Sequence, residues 1–121
     1  MQEQITFIEH KNYLEVNLEG ERDYTNLLAI WESVLNKSDS SKLYKILITT
    51  KMTGSLSLVQ YYNIFDKIRD NRIILKYKIA GFFEYTSQDE IEKFDKLIAQ
   101  NEGWKVRLFN DYNKAKEWLL K

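Results

Sequence analysis

Cysteine is absent from this chain of 121 residues, so disulfides and thiolate metal sites are excluded. Proline is absent too, and glycine occurs only at Gly20, Gly54, Gly81 and Gly103. So few breakers leave no flexible linker and point to short, defined connections. Net charge is also missing, because 18 basic side chains balance 18 acidic ones along the chain. A dedicated nucleic-acid binder draws most of its non-specific affinity from a basic excess, so no nucleic-acid partner is expected. No apolar run reaches the roughly 20 residues that cross a bilayer, and Met1-Gln2-Glu3-Gln4 does not begin a signal peptide. The expectation is a soluble, cytoplasmic protein without a membrane span.

What is present suits a single globular domain over residues 1–121: 44% of the chain is hydrophobic and 30% charged. A domain of this size buries roughly two thirds of the surface its unfolded chain exposes, enough for its own core. The organising stretch is Tyr44-Lys45-Ile46-Leu47-Ile48-Thr49-Thr50, apolar on both alternating faces and so a strand with neighbours on each side. Lys51-Met52-Thr53-Gly54-Ser55-Leu56-Ser57 follows as a breaker and cap cluster that opens a helix.

Around it the pattern alternates. Ile5 to Glu9 and Tyr13 to Glu19 read as strands joined by a hairpin at His10-Lys11-Asn12, with Asn12 suited to a left-handed conformation and Gly20 closing the second. Asp23 or Thr25 caps a helix to about Lys37 with Tyr24, Leu27, Leu28, Trp31, Val34 and Leu35 as its apolar stripe, and Ser38-Asp39-Ser40-Ser41 reads as a loop. Leu58, Tyr61, Tyr62, Phe65 and Ile68 give a helix to about Asp70, and Leu75 to Phe83 a fourth strand. Ser87-Gln88-Asp89-Glu90 is a capping box for a helix that buries Ile91, Phe94, Leu97 and Ile98 and stops at Gly103. A fifth strand over Trp104 to Phe109 leads to a last helix, capped by Asn110 or Asp111, that buries Ala115, Trp118 and Leu119.

The order ββαβαβαβα gives an α/β fold with a five-stranded mixed, mostly parallel sheet, its first strand antiparallel at one edge. Glu15, Glu19, Lys76, Lys78, Lys105 and Arg107 place charges on one face of strands two, four and five. Such a face suits water, so all four helices are expected on the other.

Thr53, Ser55 and Ser57 are placed where a helix start presents free N–H groups to an anion, or where one of them caps the helix. Met52, Tyr61, Tyr62, Phe83 and Tyr85 are candidates to line a crevice at the carboxyl ends of the strands, where open α/β sheets bind ligands. The same spacing also suits core packing. His10 is the only histidine and is expected a strand length from those serines, too far for a serine nucleophile's base. Glu84, Asp89 and Asp111 read as helix-start charges, with a carboxylate enzyme or a weak Mg²⁺ site at the carboxyl edge as the alternative. No catalytic residue, metal site or cofactor is expected.

The element order, and the ending Trp104-Lys105-Val106-Arg107-Leu108-Phe109-Asn110-Asp111-Tyr112-Asn113-Lys114-Ala115-Lys116-Glu117-Trp118-Leu119-Leu120, resembles the SpoIIAA-like group of the STAS superfamily. CRAL-TRIO domains are related to it in topology. The resemblance implies a βα superhelix with four helices on one side of the sheet, and a non-enzymatic regulatory domain that binds a protein partner. The family's phosphorylatable serine or threonine, in an Asp-Ser-x-Gly-like turn, corresponds to Thr53-Gly54-Ser55; Met52 stands in place of the aspartate, and the turn is shorter. The reading is docking onto an unidentified protein through the strand-three to helix-two corner, as monomer or homodimer. The alternative is a binder of a small apolar or lipid-like molecule at the same edge.

Overall fold

The computed structural model describes residues 4–21, 24–53, 63, 76–83, 87–99 and 105–121. Their order is β1 (Gln4–Glu9), β2 (Leu14–Glu21), α1 (Tyr24–Ser41), β3 (Lys45–Thr53), β4 (Lys78–Phe83), α2 (Gln88–Ala99), β5 (Lys105–Phe109) and α3 (Tyr112–Leu120). The five strands form one sheet in the order β1-β2-β3-β4-β5. β1 is antiparallel to β2 and the other neighbours are parallel, so the mixed sheet and the antiparallel edge match the expectation. The helix expected over 58–70 lies outside the described residues apart from Asn63, as does the expected stop at Gly103. Three helices are described.

The main core lies on one face. Leu14, Val16 and Leu18 of β2, Ile46 and Ile48 of β3, Ile79 of β4, and Val106 and Leu108 of β5 pack with Ile30, Trp31, Val34 and Leu35 of α1 and Ile91 and Phe94 of α2. Gly81 sits among them at a tight place, where a Cβ would meet Leu108 Cδ2 at 3.1 Å and the leucine would have to give by a few tenths of an ångström.

The one-sided sheet is overturned. Successive strand residues point to opposite faces, and Leu47 and Ala80 pack with Tyr13, Ala115 and Leu119 in a second cluster joined by Phe82, Phe109, Tyr112 and Trp118. α3 therefore lies on the face opposite α1 and α2, covering an apolar strip across β3, β4 and β5. The charges that suggested an open face share it with apolar residues on the same strands, as Lys105 and Arg107 do with Phe109 on β5. Lys78, expected to be exposed, is half-buried with its Nζ 4.7 Å from the Trp118 ring centroid. Arg107, exposed as expected, lays its guanidinium 5.3 Å from Phe109 and 5.9 Å from Trp118. Long cationic side chains shield apolar surface with their stems, so their presence does not require a helix-free face.

Element ends differ for local reasons. α1 continues through the serine-rich segment expected as a loop. Ser41 Oγ donates to the Lys37 carbonyl at 2.8 Å, Ser40 Oγ to the same carbonyl at 3.1 Å, and the buried Ser38 hydroxyl to the Leu43 carbonyl at 2.5 Å. The helix stops at Lys42, whose φ of 60° is left-handed, and the Leu43 N–H returns to the Ser38 carbonyl at 3.2 Å. That is the six-to-one bond of a Schellman stop. Among the described residues Lys42 is the non-glycine with positive φ, so Asn12 does not take the left-handed conformation expected of it. The hairpin itself is present, closed by the His10 N–H to the Tyr13 carbonyl at 3.0 Å. β4 begins at Lys78 rather than Leu75, with Tyr77 buried just before it.

Candidate functional site

β3 is the middle strand, and its end sets the carboxyl edge of the parallel sheet. It was expected to stop at Thr50, yet it runs on through Lys51, Met52 and Thr53. The cause is its neighbour: β2 extends to Glu21, pairing Gly20 with Met52 and Glu21 with Thr53. Gly20 is thus inside the strand rather than closing it, and its φ of 127° is one that a residue with Cβ rarely adopts. Thr53 is the last residue of the strand ladder, paired with Glu21. Gly54, Ser55 and Ser57 lie outside the described residues.

Beside Thr53 the edge is completed by the ends of β4 and β5. Phe83 is half-buried and packs against the main core. Its register partner across the sheet is Thr50. Met52 is placed by its backbone in β3, whereas Tyr61, Tyr62 and Tyr85 fall outside the described residues, so the proposed crevice is represented here by Phe83. Asp111 caps α3, accepting from the Lys114 N–H at 3.0 Å, and Asp89 pairs with Lys93 one turn on at 3.0 Å. Ser87 accepts from the Glu90 N–H at 3.2 Å, the serine half of the expected capping box. Each of these groups performs helix-end work. Glu84 lies outside the described residues.

The opposite, amino edge holds the polar clusters. His10 Nε2 lies 2.9 Å from Glu15 Oε1, and its ring stacks on Tyr13 at 4.3 Å between centroids. From the start of β2 to the level of Thr53 is seven residue steps, about 23 Å at the rise of a strand. His10 cannot serve as base to a hydroxyl at the carboxyl edge. Tyr77, buried before β4, donates to Asp39 Oδ1 at 2.6 Å, and Lys76 Nζ lies 3.0 Å from the same oxygen. That hydrogen bond to Asp39 raises the Lys76 pKa above its ordinary value. No group of three or more His, Asp or Glu suited to a metal ion occurs among the described residues. No helix among them is long and apolar enough to cross a membrane.

One feature of this edge was not anticipated. Lys45 is the register partner of Lys78, and Lys78 of Lys105, so three adjacent parallel strands each open with a lysine in one row. The signal is visible in sequence as Tyr44-Lys45-Ile46, Tyr77-Lys78-Ile79 and Trp104-Lys105-Val106, an aromatic, a lysine and a β-branched residue repeated three times.

This five-stranded sheet, antiparallel at β1 and parallel thereafter, with helices on both faces, has a counterpart among solved structures. A protein of the DUF3478 family with a SpoIIAA-like fold, from Shewanella loihica PV-4 and described as uncharacterized, matches 97% of this chain and 93% of its own, with a TM-score of 0.54 and 18% identity. The fold of this chain is SpoIIAA-like. No family model matches the sequence, and no curated protein matches it significantly.

Proposed function

We propose that this domain is a non-enzymatic regulatory module that docks onto a protein partner at the corner where β3 leaves the sheet, through Thr53, Gly54, Ser55 and Ser57. The observation that carries this reading is the position of Thr53. It ends the central strand at the carboxyl edge, in a fold shared with the SpoIIAA-like protein. Beyond Thr53, the cap or phosphate-accepting role at the helix expected from the sequence is assigned in this reading to Ser55 or Ser57.

The absence of catalysis is part of the same reading. It is supported by the engagement of His10 with Glu15 at the far edge, and by the helix-end roles of Asp89 and Asp111. The apolar-ligand reading draws less support, because Phe83 is packed into the main core. The test is to capture partners on the wild-type protein and titrate each against Ser55→Glu and Ser55→Ala. A glutamate there adds charge where a phosphate would, so Ser55→Glu should weaken binding about tenfold or more, roughly 1.4 kcal/mol, with the melting temperature nearly unchanged. Ser55→Ala should bind almost normally. Equal binding of all three proteins would refute the docking corner.

A further inference from the structure

We propose that the row Lys45, Lys78 and Lys105, together with Lys121 at the end of α3, forms a site for a compact, multiply charged phosphate group at the amino edge of the sheet. The site is separate from the docking corner, and neither proposal depends on the other. The three lysines are register partners on β3, β4 and β5. At the usual interstrand spacing the row spans about 10 Å at the backbone.

Like charges placed directly opposite each other on a sheet destabilise it. Here three adjoin without an intervening acid, and the Lys121 side chain, just past α3, adds a further cation near Lys78. Among the described residues, no carboxylate forms an ion pair with any of the four. Glu117, one residue before Trp118, is exposed. The backbone supplies partial relief, since the C-terminus of α3 carries about half a negative charge. Half a charge does not balance the row of three ammonium groups.

Lys78 is the centre of the arrangement. Its stem is half-buried and its ammonium lies over Trp118, so it is held in place rather than dispersed into solvent. Desolvation, then the charges of Lys45, Lys105 and Lys121, push its pKa below the ordinary lysine value. The group that relieves such a cluster must carry several negative charges in a small volume. A carboxylate carries one charge; a phosphate monoester or oligophosphate carries about two or more near neutral pH. A row about 10 Å long suits one such group better than an extended nucleic-acid backbone.

The experiment is a calorimetric titration of the full chain with inorganic tripolyphosphate at fixed ionic strength. Parallel binding to phosphatidylcholine vesicles with and without phosphatidic acid distinguishes a free phosphate from a lipid headgroup. Lys78→Met keeps an unbranched stem on Trp118 and removes the charge; Lys105→Met does so at an exposed position; Lys93→Met, on α2, controls for net charge. The expected result is binding to tripolyphosphate, or to the phosphatidic-acid vesicles alone, weakened at least about tenfold by Lys78→Met and Lys105→Met but unchanged by Lys93→Met. Without ligand, Lys78→Met should melt higher than wild type because a repelled charge is gone. If it melts lower, Lys105→Met decides. Absence of binding in both arms, or an equal loss in Lys93→Met, would overturn the site.

Discussion

Asp95 and Tyr77 show how single side chains are set by what surrounds them. Asp95 on α2 has one carboxylate oxygen buried without a hydrogen-bond partner among the described residues, while the other lies 3.8 Å from the Arg107 guanidinium. Burial raises its pKa, the nearby Arg107 lowers it, and Glu92 raises it further; the net direction is up. The folded protein therefore holds that proton to higher pH than the unfolded chain does. Stability is favoured below the ordinary carboxylate value of 3.8 and falls as pH rises through the higher folded value. Asp95→Asn should thus gain on wild type as pH rises through that window, measured by urea unfolding at several pH values; a constant difference would show that Asp95 does not titrate abnormally. Tyr77 is 1% exposed and its hydroxyl reaches Asp39. Tyr77→Phe keeps the ring but removes a hydrogen bond to a charged group, so it should cost about 1.5–3 kcal/mol in the same assay. Neither pairing could be read from sequence, because Asp39 and Tyr77 lie 38 positions apart and meet only when α1 and β4 are placed.

Elements were legible wherever their signal was periodic. The alternation of Leu14, Val16 and Leu18, the Ser87 start of α2 and the Asp111 start of α3 all carry their meaning locally. The ends of α1, β2 and β3 do not. A run of four residues at 38–41, three of them serines, suggests a loop, yet their hydroxyls bond back to helix carbonyls and to Leu43. The stop comes one residue later, at Lys42, where glycine is usual. Left-handed backbone costs a residue with Cβ about 1–2 kcal/mol. Lys42→Gly should therefore stabilise the protein by about 1 kcal/mol, reduced somewhat by the greater freedom of glycine in the unfolded chain. A melting temperature that falls would mean the Lys42 side chain contributes more than its backbone costs. β2 and β3 illustrate the converse. Gly20 looks like an ending and Lys51 to Thr53 like the approach to a helix, but each strand supplies the other's hydrogen-bonding partner, so both continue to Glu21 and Thr53. That mutual extension places the backbone of Thr53 at the end of the central strand.

At the scale of the molecule, the arrangement of layers is what the sequence hid. Charges at Lys78, Lys105 and Arg107 argued for a face left to water, and the same face carries Leu47, Ala80, Phe82 and Phe109. The apolar strip decides, because α3 brings Ala115 and Leu119 onto it and both are fully buried. Two cores, separated by one sheet, follow from a strand such as β3, whose Ile46, Leu47 and Ile48 are all 0–1% exposed. Truncating a buried residue on either face should then cost about the same. Ile48→Ala empties space under α1 and α2, and Leu119→Ala empties space under α3; each should cost about 2–5 kcal/mol, as large-to-small core changes do. Under a one-sided sheet Leu119 would share the Ile48 core, and their effects would couple. Across the sheet they share no cluster, so the double mutant should lose the sum of the two single losses to within about 0.5 kcal/mol. Chemical unfolding of the two single mutants and the double mutant measures this directly. A large departure from additivity, or a negligible loss in Leu119→Ala, would place α3 somewhere other than on the second face.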